Sequence, residues 1–423
     1  MTTLTGQIET LATAARSAAR ILAATKREAK DRALNAIAEH LIAHESEILA
    51  ANNEDVLRSQ ADGISDSLID RLKLNPQRIA EIANGARQIA ALPDPVGRII
   101  RERTLENGLH LKQIAVPFGV VGMVYEARPN VTVDAAVILI KAGSAALLRG
   151  SSTAAKSNEV LVNVMRSAIT SVGLPADIVQ LVSSHDRSTV RELLNARGLV
   201  DLVIPRGSAA LIRTVVDKSS VPTIETGAGV CHVYIDKDAD FNKAIPIVIN
   251  SKCHRPSVCN AAETLLVHEA VATEFLPLAL KALAEQGVRL HGDPKSIEIA
   301  KSCGIEMVLA SEEDWSTEYG VLEMNVGIVA DRQSANDHIN KYGTQHTESI
   351  VTESESTAAA FIANADAAAI MVNASTRFTD GEQMGFGAEI GISNQKLHAR
   401  GPMGLEEMTT TTWIVTGSGQ IRE

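Results

Sequence analysis

Residues 119–152, GVVGMVYEARPNVTVDAAVILIKAGSAALLRGSS, determine the predicted fold. A β-branched run, VVGMVY, is followed by a polar turn, then by a helical pattern in DAAVILIKAG and by a second aliphatic run, SAALLRG. Short aliphatic runs of this kind are typical of strands that are buried on both faces of a sheet. A strand, a helix and a strand in this order form a unit in which the two strands run parallel.

The same alternation continues towards the C-terminus. DIVQLV and LVDLVIP are further aliphatic runs, separated by the helical pattern RSTVRELLNARG. A second series comprises TLLVH, a helical pattern over residues 271–286, and then VRLHG, NVGIVA, SIVT and AAIMVN. Two such series in a chain of 423 residues predict an α/β fold with two parallel-sheet domains.

The pattern changes on the N-terminal side of the opening stretch. Residues 3–92 repeat apolar positions at helical spacing almost throughout. Two alternating segments then flank Asn107-Gly108, a dipeptide typical of tight hairpin turns, and the C-terminal residues favour one more exposed strand. Because an isolated hairpin is only marginally stable, we predict that residues 99–118 and 406–423 together form a small oligomerisation arm.

Composition excludes several classes of function. The net charge of −11 and the pI near 5.6 argue against nucleic acid or an anionic membrane as a partner. No apolar run approaches the roughly 20 residues of a membrane span. The four cysteines form no C-x-x-C motif, and residues 1–26 lack the apolar core of a signal peptide. We therefore expect a cytoplasmic protein in a reducing compartment.

Two Arg-Gly-Ser tripeptides each follow a predicted strand and precede a helix. These are Arg149-Gly150-Ser151 and Arg206-Gly207-Ser208. A helix N-terminus offers free N–H groups, and glycine lets the backbone approach a ligand closely, so such loops suit a phosphate. Either loop alone is explained as a simple turn, but two of them at the ends of neighbouring parallel strands make a nucleotide site an equally good explanation. The sequence has neither a G-x-G-x-x-G fingerprint nor a P-loop.

Candidate reactive groups lie further along the chain. Cys259 follows a turn and precedes a strand, where nearby backbone N–H groups would stabilise a thiolate, but spacing does not separate it from Cys253. Glu225 at a strand end is either a general base or a solvated loop charge. Thr376 and Arg377 follow a strand and suit a carboxylate or phosphate, although a polar turn explains them equally. Adjacent Cys-His pairs point to opposite faces of a strand, so we expect no metal site.

Five segments together resemble the gamma-glutamyl phosphate reductase family of the aldehyde dehydrogenase superfamily. They are VPFGVVGMVYEARPNVTVDAA, LVIPRGSAALI, RPSVCNAAETLLVH, INKYGTQHTESIVTE and VNASTRFTDGEQMGFGAEIGISNQKLHARGPMGLEEMTT. They occur in the family's order between about residues 115 and 412, and the last is long and specific. The resemblance implies an aldehyde-dehydrogenase-like fold. The corresponding domains would be a cofactor-binding domain of residues 1–98 and 119–228 and a catalytic domain of residues 229–405.

The resemblance also implies roles for individual residues. Cys259 would be the nucleophile, and Asn130 would donate a side-chain N–H to the oxyanion. The implied cofactor-binding residues are Arg149 near the ribose, with Gly150 and Ser151 beside it in the chain, Arg206, Gly207 and Ser208 near the pyrophosphate, Glu318 at the nicotinamide ribose, and Glu225. The candidates for holding the substrate's phosphate or carboxylate are Arg255, Ser257, Thr376 and Arg377. His254 stands where the family often has glutamine, and we expect it to be exposed.

The implied reaction is NADPH-dependent reduction of L-glutamyl 5-phosphate through a cysteine thioester. NADPH rather than NADH is expected from the family and from Arg149, which could pair with a 2′-phosphate or simply hold the ribose. A hydrolytic NAD(P)-dependent aldehyde dehydrogenase that uses Glu225 to activate water is the alternative. A non-catalytic binding protein would need a broken thiol or oxyanion site, and the sequence shows neither.

The expected partners are a small-molecule substrate and further copies of the chain. Because acyl phosphates are labile, glutamate 5-kinase is a candidate partner, although no docking surface for it is evident in the sequence.

Overall fold

The computed structural model describes residues 6–184, 186 and 188–422. Residues 1–5 of the predicted N-terminal helical region, Arg187 in a predicted helix and Glu423 in the predicted last strand lie outside the described residues. The chain divides into two compact units, which we describe separately. The first unit is Met1–Thr226, Gly385–Gly391 and Met403–Glu423, and the second unit is Gly227–Met384 and Ile392–Pro402.

Helices open the first unit, as the sequence predicts. They are α1 (Gly6–Ala23), α2 (Arg27–Ala43), α3 (Glu45–Ala61), α4 (Asp66–Leu72) and α5 (Pro76–Ala91). The inner face of α1 is lined by buried alanines that pack in one apolar cluster with Val120 and Leu147 of the sheet, because small side chains let a helix lie close to its neighbour. Asn75 caps α5 by accepting from the N–H of Arg78.

A hairpin follows the helices. Its strands are β1 (Ile99–Thr104) and β2 (His110–Pro117), which pair antiparallel around the predicted turn. Gly108 in that turn has φ +84°, a conformation that favours glycine.

The parallel sheet of the first unit begins with the quoted stretch. Its elements are β3 (Val120–Tyr125), α6 (Pro129–Lys141), β4 (Ala145–Arg149), α7 (Ala155–Ser171), β5 (Val179–Leu181), α8 (Ser188–Leu194), β6 (Leu202–Arg206) and α9 (Ala209–Lys218). Within the described residues, the strands lie in the order β5-β4-β3-β6 and all pairs are parallel. Strands β3 and β4 are buried along their whole length, as the aliphatic runs predict.

The second unit is also built on a parallel sheet. Its elements are β7 (Cys231–Ile235), α10 (Phe241–Cys253), β8 (Ala262–His268), α11 (Glu269–Glu285), β9 (Arg289–Gly292), α12 (Pro294–Ser302), β10 (Val308–Leu309), β11 (Glu323–Val329), α13 (Arg332–Tyr342), β12 (Thr347–Val351), α14 (Glu355–Asn364) and β13 (Ala369–Val372). In the part of the chain that the structure describes, the strand order is β10-β9-β11-β8-β7-β12-β13. A short antiparallel pair, β14 (Ile392–Ser393) and β15 (Gly401–Pro402), completes the unit.

The C-terminal strand returns to the hairpin in the first unit. Strand β16 (Thr409–Thr416) pairs antiparallel with β2, so the sheet has the order β1-β2-β16. The predicted arm strands therefore pair with one another. Residues 385–391 and 403–405 also group with the first unit, whereas the sequence assigned them to the catalytic segment. Their backbones pair, since Ile390 N–H donates to the Met403 carbonyl and Met403 N–H to the Gly391 carbonyl.

Candidate active site

Position in the fold separates Cys253 from Cys259, the two cysteines that spacing alone left equivalent and that are both partly buried. Cys253 ends α10 and packs against the apolar core of the second unit, where burial raises the pKa of its thiol. Cys231 is fully buried, and burial raises the pKa of its thiol well above the ordinary value. Cys303 is exposed and donates to carbonyls of its own helix, α12. Cys259 is partly exposed and lies on the loop between α10 and β8.

The backbone of Cys259 is held closely by its neighbours. The Cys231 thiol donates to the Cys259 carbonyl oxygen, with 3.2 Å between Sγ and O. A Cβ atom built on Gly229 would lie 1.4 Å from that same oxygen, so only glycine permits this approach. Cys231 in strand β7 thus fixes the Cys259 carbonyl by a hydrogen bond, and Gly229, just before this strand, leaves room for the carbonyl oxygen.

Asn260, the residue after Cys259, is tied to the 376–379 turn. Its side-chain amide donates to the Thr379 carbonyl at 2.8 Å, and its own carbonyl accepts from the Thr376 hydroxyl at 2.6 Å. Thr376, predicted to bind substrate, is fully buried, so the structure gives its hydroxyl a contact that holds the nucleophile loop.

Positive charge collects around the same loop. Burial lowers the pKa of Arg377, an effect that the charges of Asp380 and Cys259 oppose and that of Arg255 reinforces. Arg377 Nε donates to His254 Nδ1 at 3.4 Å, and His254 is exposed as predicted. Within the described residues neither Arg255 nor Arg377 forms an ion pair. Arg377 thus interacts electrostatically with Cys259, and arginine side chains suit an anionic substrate.

Two other predicted residues of the second unit, Ser257 and Glu318, lie on different loops. Ser257 is exposed on the Cys259 loop. Glu318 is exposed on the loop before β11, and the N–H of Gly320, two residues later, donates to Glu263 Oε1 at 3.4 Å. Glu263 lies in β8, directly after the nucleophile loop.

Asn130 lies in the first turn of α6 in the first unit. Its Nδ2 donates to Asp134 Oδ2 at 2.9 Å, one helical turn further on. Burial raises the pKa of Asp134 to about 6, although this hydrogen bond and the charge of Arg206 oppose the shift. The acceptor fixes the direction of the Asn130 amide and leaves its second N–H for another partner.

The loop after β6 binds a carboxylate of this chain, that of Glu126. Ser208 donates from its backbone N–H and its hydroxyl to the Glu126 carboxylate, at 2.9 and 2.7 Å. Ser208 also caps α9 by accepting from the N–H of Leu211. A Cβ atom on Gly207 would lie 2.7–2.9 Å from Glu126, so glycine is required for the close approach.

A cavity of about 440 Å³ in the first unit joins the two Arg-Gly-Ser loops. Ser151 and Thr153 line it from the loop after β4, and Gly207 and Ser208 from the loop after β6. Ser59 of α3 also lines it, and its hydroxyl is buried without a hydrogen-bond partner among the described residues. The structure therefore brings together three predicted cofactor-binding residues, Ser151, Gly207 and Ser208.

The remaining predicted residues of the first unit are Arg149, Gly150, Arg206 and Glu225. Arg149 is almost buried, and its guanidinium donates to the carbonyls of Gly150 at 3.1 Å and Asp186 at 3.4 Å. Gly150 has no room for a side chain, since a Cβ there would meet Asn158. Arg206 ends β6, and Glu225 is half-buried in the segment after α9.

The described residues contain neither a metal cluster nor a membrane span. Across residues 6–184, 186 and 188–422, His, Cys, Asp and Glu form no cluster that could hold a metal ion. Among these same residues, no helix is long and apolar enough to span a membrane.

The aldehyde dehydrogenase family model matches residues 3–297. The chain belongs to the aldehyde dehydrogenase family.

Relatives place it more narrowly within this family. A gamma-glutamyl phosphate reductase of Thermobifida fusca is 54% identical over 422 residues, covering 100% of both chains. The reductase of the same name from Kineococcus radiotolerans is 54% identical, covering 96% of this chain and 94% of the relative. The crystal structure of the Thermotoga maritima gamma-glutamyl phosphate reductase is 45% identical, with a TM-score of 0.95 and coverage of 98% and 99%. The chain thus belongs to the gamma-glutamyl phosphate reductases within the aldehyde dehydrogenase family.

Membership of the aldehyde dehydrogenase family implies a nicotinamide cofactor, and the first unit fits one. Ser208 already holds the carboxylate of Glu126, which stands in for a phosphate oxygen at the N-terminus of α9. The unpartnered hydroxyl of Ser59 offers a further polar group in the same cavity.

Several functional contacts had little signal in the sequence. The Glu126–Ser208 contact joins residues that are 82 positions apart, so no local pattern reveals it. The contacts of Gly229 and Cys231 with Cys259 also join distant positions and have no local sequence pattern. Asp134 is different, because its i,i+4 spacing from Asn130 on a predicted helix could have identified it.

Proposed function

We propose that the chain reduces L-glutamyl 5-phosphate to L-glutamate 5-semialdehyde and phosphate with NADPH, the second step of proline biosynthesis from glutamate. Relatives that are 54% identical carry the name gamma-glutamyl phosphate reductase. The observation that carries the proposal is the surroundings of Cys259, a partly exposed loop thiol with Arg255 and Arg377 close by.

Cys259 is the proposed nucleophile. Its thiolate attacks the γ-acyl carbon, and phosphate leaves with the electrons of the cleaved C–O bond, which gives a thioester. The positive charge of Arg377 favours the thiolate over the thiol. The hydrogen bond from Cys231 and the close approach of Gly229 fix the Cys259 carbonyl and thereby the direction of attack.

Asn130 is the proposed side-chain donor to the oxyanion. Asp134 accepts one of its N–H groups, so the amide nitrogen rather than the amide oxygen is held in a defined direction. The backbone N–H of Cys259 is the second proposed donor. Removing one such donor typically costs about 100-fold or more in rate.

NADPH, when bound, supplies the hydride that reduces the thioester. Its proposed contacts in the first unit are the cavity residues Ser151, Gly207 and Ser208, with Arg149, Gly150, Arg206 and Glu225 as further candidates. Glu318 in the second unit is the candidate for the nicotinamide ribose. The thiohemiacetal on Cys259 then collapses and releases the semialdehyde.

The substrate's negative groups are assigned to the second unit. Arg255, Ser257 and Arg377 are the proposed ligands of the phosphate or the α-carboxylate, since arginines without ion-pair partners suit both. Thr376, also proposed from the sequence, supports this group by holding Asn260.

Replacing the nucleophile tests this mechanism. Cys259→Ser should lower phosphate-dependent turnover by at least about 1000-fold, because a serine hydroxyl without a general base is a poor nucleophile. Cys253→Ser is the matched control, six positions away on the same segment, and should keep turnover close to that of the unchanged chain. Wild-type turnover in Cys259→Ser would rule out the thioester route.

Preference for NADPH over NADH is assigned to Arg149. Its guanidinium is held by two backbone carbonyls, which fixes it for a charge-assisted bond to a 2′-phosphate. We expect kcat/KM to favour NADPH, and Arg149→Ala to reduce that preference by about 10-fold or more. An unchanged ratio of the two kcat/KM values in Arg149→Ala would assign the preference to another residue.

Self-association is assigned to the arm formed by β1, β2 and β16. Strand β16 is an edge strand in the described residues, and it exposes Trp413, Ile414 and Val415. A second copy of the chain is the proposed partner for this surface. Glutamate 5-kinase remains a candidate partner because its acyl phosphate product is labile.

A further inference from the structure

Two charged residues of the second unit are completely buried and have no part in the mechanism above. Lys252 lies one position before the end of α10, and Glu263 is the second residue of β8. Both side chains are 0% exposed, and Lys252 Nζ lies 2.5 Å from Glu263 Oε2. The two residues therefore face each other across the base of the loop 254–261, which carries Cys259.

Glu263 also contacts the loop that carries Glu318. Its Oε1 accepts from the Gly320 N–H at 3.4 Å, and the negative charge of Glu318 disfavours ionisation of Glu263. Burial raises the pKa of Glu263 to about 7, and the charge of Lys252 opposes this shift. Lys252 Nζ lies 6.0 Å from the centre of the Tyr319 ring, on the same loop.

Stability alone is a weak reason for such a pair. Burying two charges costs desolvation free energy that their attraction often fails to repay, and an apolar pair of similar size is commonly as stable. What an apolar pair could not supply is an acceptor for the Gly320 N–H and a directed bond between the two ends of the nucleophile loop.

We propose that Lys252 and Glu263 are positioning residues that hold the Cys259 loop and the Glu318 loop in one fixed arrangement. The inference deepens the proposed function and rests on the roles assigned there to Cys259 and Glu318. Loss of the pair lets the nucleophile loop move away from the charge of Arg377, which lowers the thiolate population of Cys259. It also frees the Gly320 backbone and with it the loop that carries Glu318.

Alkylation of Cys259 by iodoacetamide tests the proposal without any substrate. The rate is followed at neutral pH by mass spectrometry of the peptide that contains Cys259. Lys252→Met and Glu263→Leu should slow alkylation by about 10-fold or more, because the reacting species is the thiolate. Glu263→Leu should also weaken NADPH binding, measured by the change in NADPH fluorescence on titration.

A conservative variant and a matched control separate positioning from general stability. Glu263→Gln keeps the side-chain shape and one acceptor oxygen, for either Lys252 or the Gly320 N–H, and should alkylate faster than Glu263→Leu. Lys30→Met removes a comparable buried pair in the first unit, where Lys30 Nζ lies 2.5 Å from Asp94. This control should lower the unfolding temperature without changing the alkylation rate.

The alkylation rate of Cys259 in the variants decides the proposal, whether it is slowed or unchanged. If Lys252→Met and Glu263→Leu unfold more easily but alkylate at the wild-type rate, the pair is structural only and the proposal is wrong. If a lone buried charge prevents folding, the double variant Lys252→Met/Glu263→Leu removes both charges and replaces the single variants. It should still alkylate slowly, and a wild-type rate would overturn the proposal. If the chain shows no phosphate-dependent reduction, and the proposed function therefore fails, the alkylation rates still test the positioning role, because alkylation of Cys259 needs no substrate.

Discussion

At the scale of single residues, the site depends on how closely backbones approach each other. Cys259 was one of two equivalent cysteines in the sequence, and resemblance alone favoured it. Both are partly buried, and the fold distinguishes them by position, because Cys253 ends α10 and packs against the core while Cys259 lies on a loop. The contacts that hold Cys259 come from Gly229 and Cys231, about 30 positions earlier, and such long-range contacts have no local sequence signal.

Gly229→Ala should displace the Cys259 carbonyl, since the added Cβ would lie 1.4 Å from its oxygen. We expect kcat to fall by about 100-fold, because small displacements of a nucleophile cost rate on this scale. Gly85→Ala in α5 is the control, as nothing lies within 4 Å of its new Cβ. Steady-state kinetics with both variants check the prediction, and unchanged kcat in Gly229→Ala would show that the carbonyl position is unimportant.

At the scale of elements, the periodicity of the sequence predicted most strands and helices. The aliphatic runs became β3, β4, β5 and β6, and the Asn-Gly turn became the β1–β2 hairpin. Four of the strands described in the second unit, β7, β10, β14 and β15, were not among the predicted series. Strand β10 has only two residues, both exposed, so it has no hydrophobic pattern to detect. Strand β7 directly follows a glycine-rich segment. Its adjacent Cys231 and His232 were placed on a strand only to judge metal binding, and that strand was not counted in the predicted sheet.

The exposed side of β16 should matter for assembly. Ile414 is 43% exposed on this edge strand, and a charge there would be buried at a contact between two copies. We therefore expect Ile414→Glu to lower the molecular mass measured by sedimentation equilibrium. Leu57→Glu changes an even more exposed apolar residue, 57% accessible, on α3 and should leave that mass unchanged. If the unchanged chain sediments as a monomer, the arm has another role.

At the scale of the whole molecule, the sequence predicted two parallel-sheet units in the correct order along the chain. The first compact unit ends its main segment at Thr226, and the sequence placed the end of the cofactor-binding domain at residue 228. The late segments 385–391 and 403–405 were assigned from the sequence to the catalytic domain, but they group with the first unit. They pair with each other through Ile390 and Met403, 13 positions apart, and a contact over that distance has no local sequence signal.

The most direct test of the central claim is the reverse reaction, with glutamate 5-semialdehyde and NADP⁺ in the presence and absence of inorganic phosphate. Without phosphate we expect a single burst of about one NADPH per Cys259, because the thioester then has no acyl acceptor. With phosphate, NADPH formation should continue at a steady rate. Sustained turnover without phosphate would contradict the proposed function, and Glu225, as the base that activates water, would be the next residue to replace.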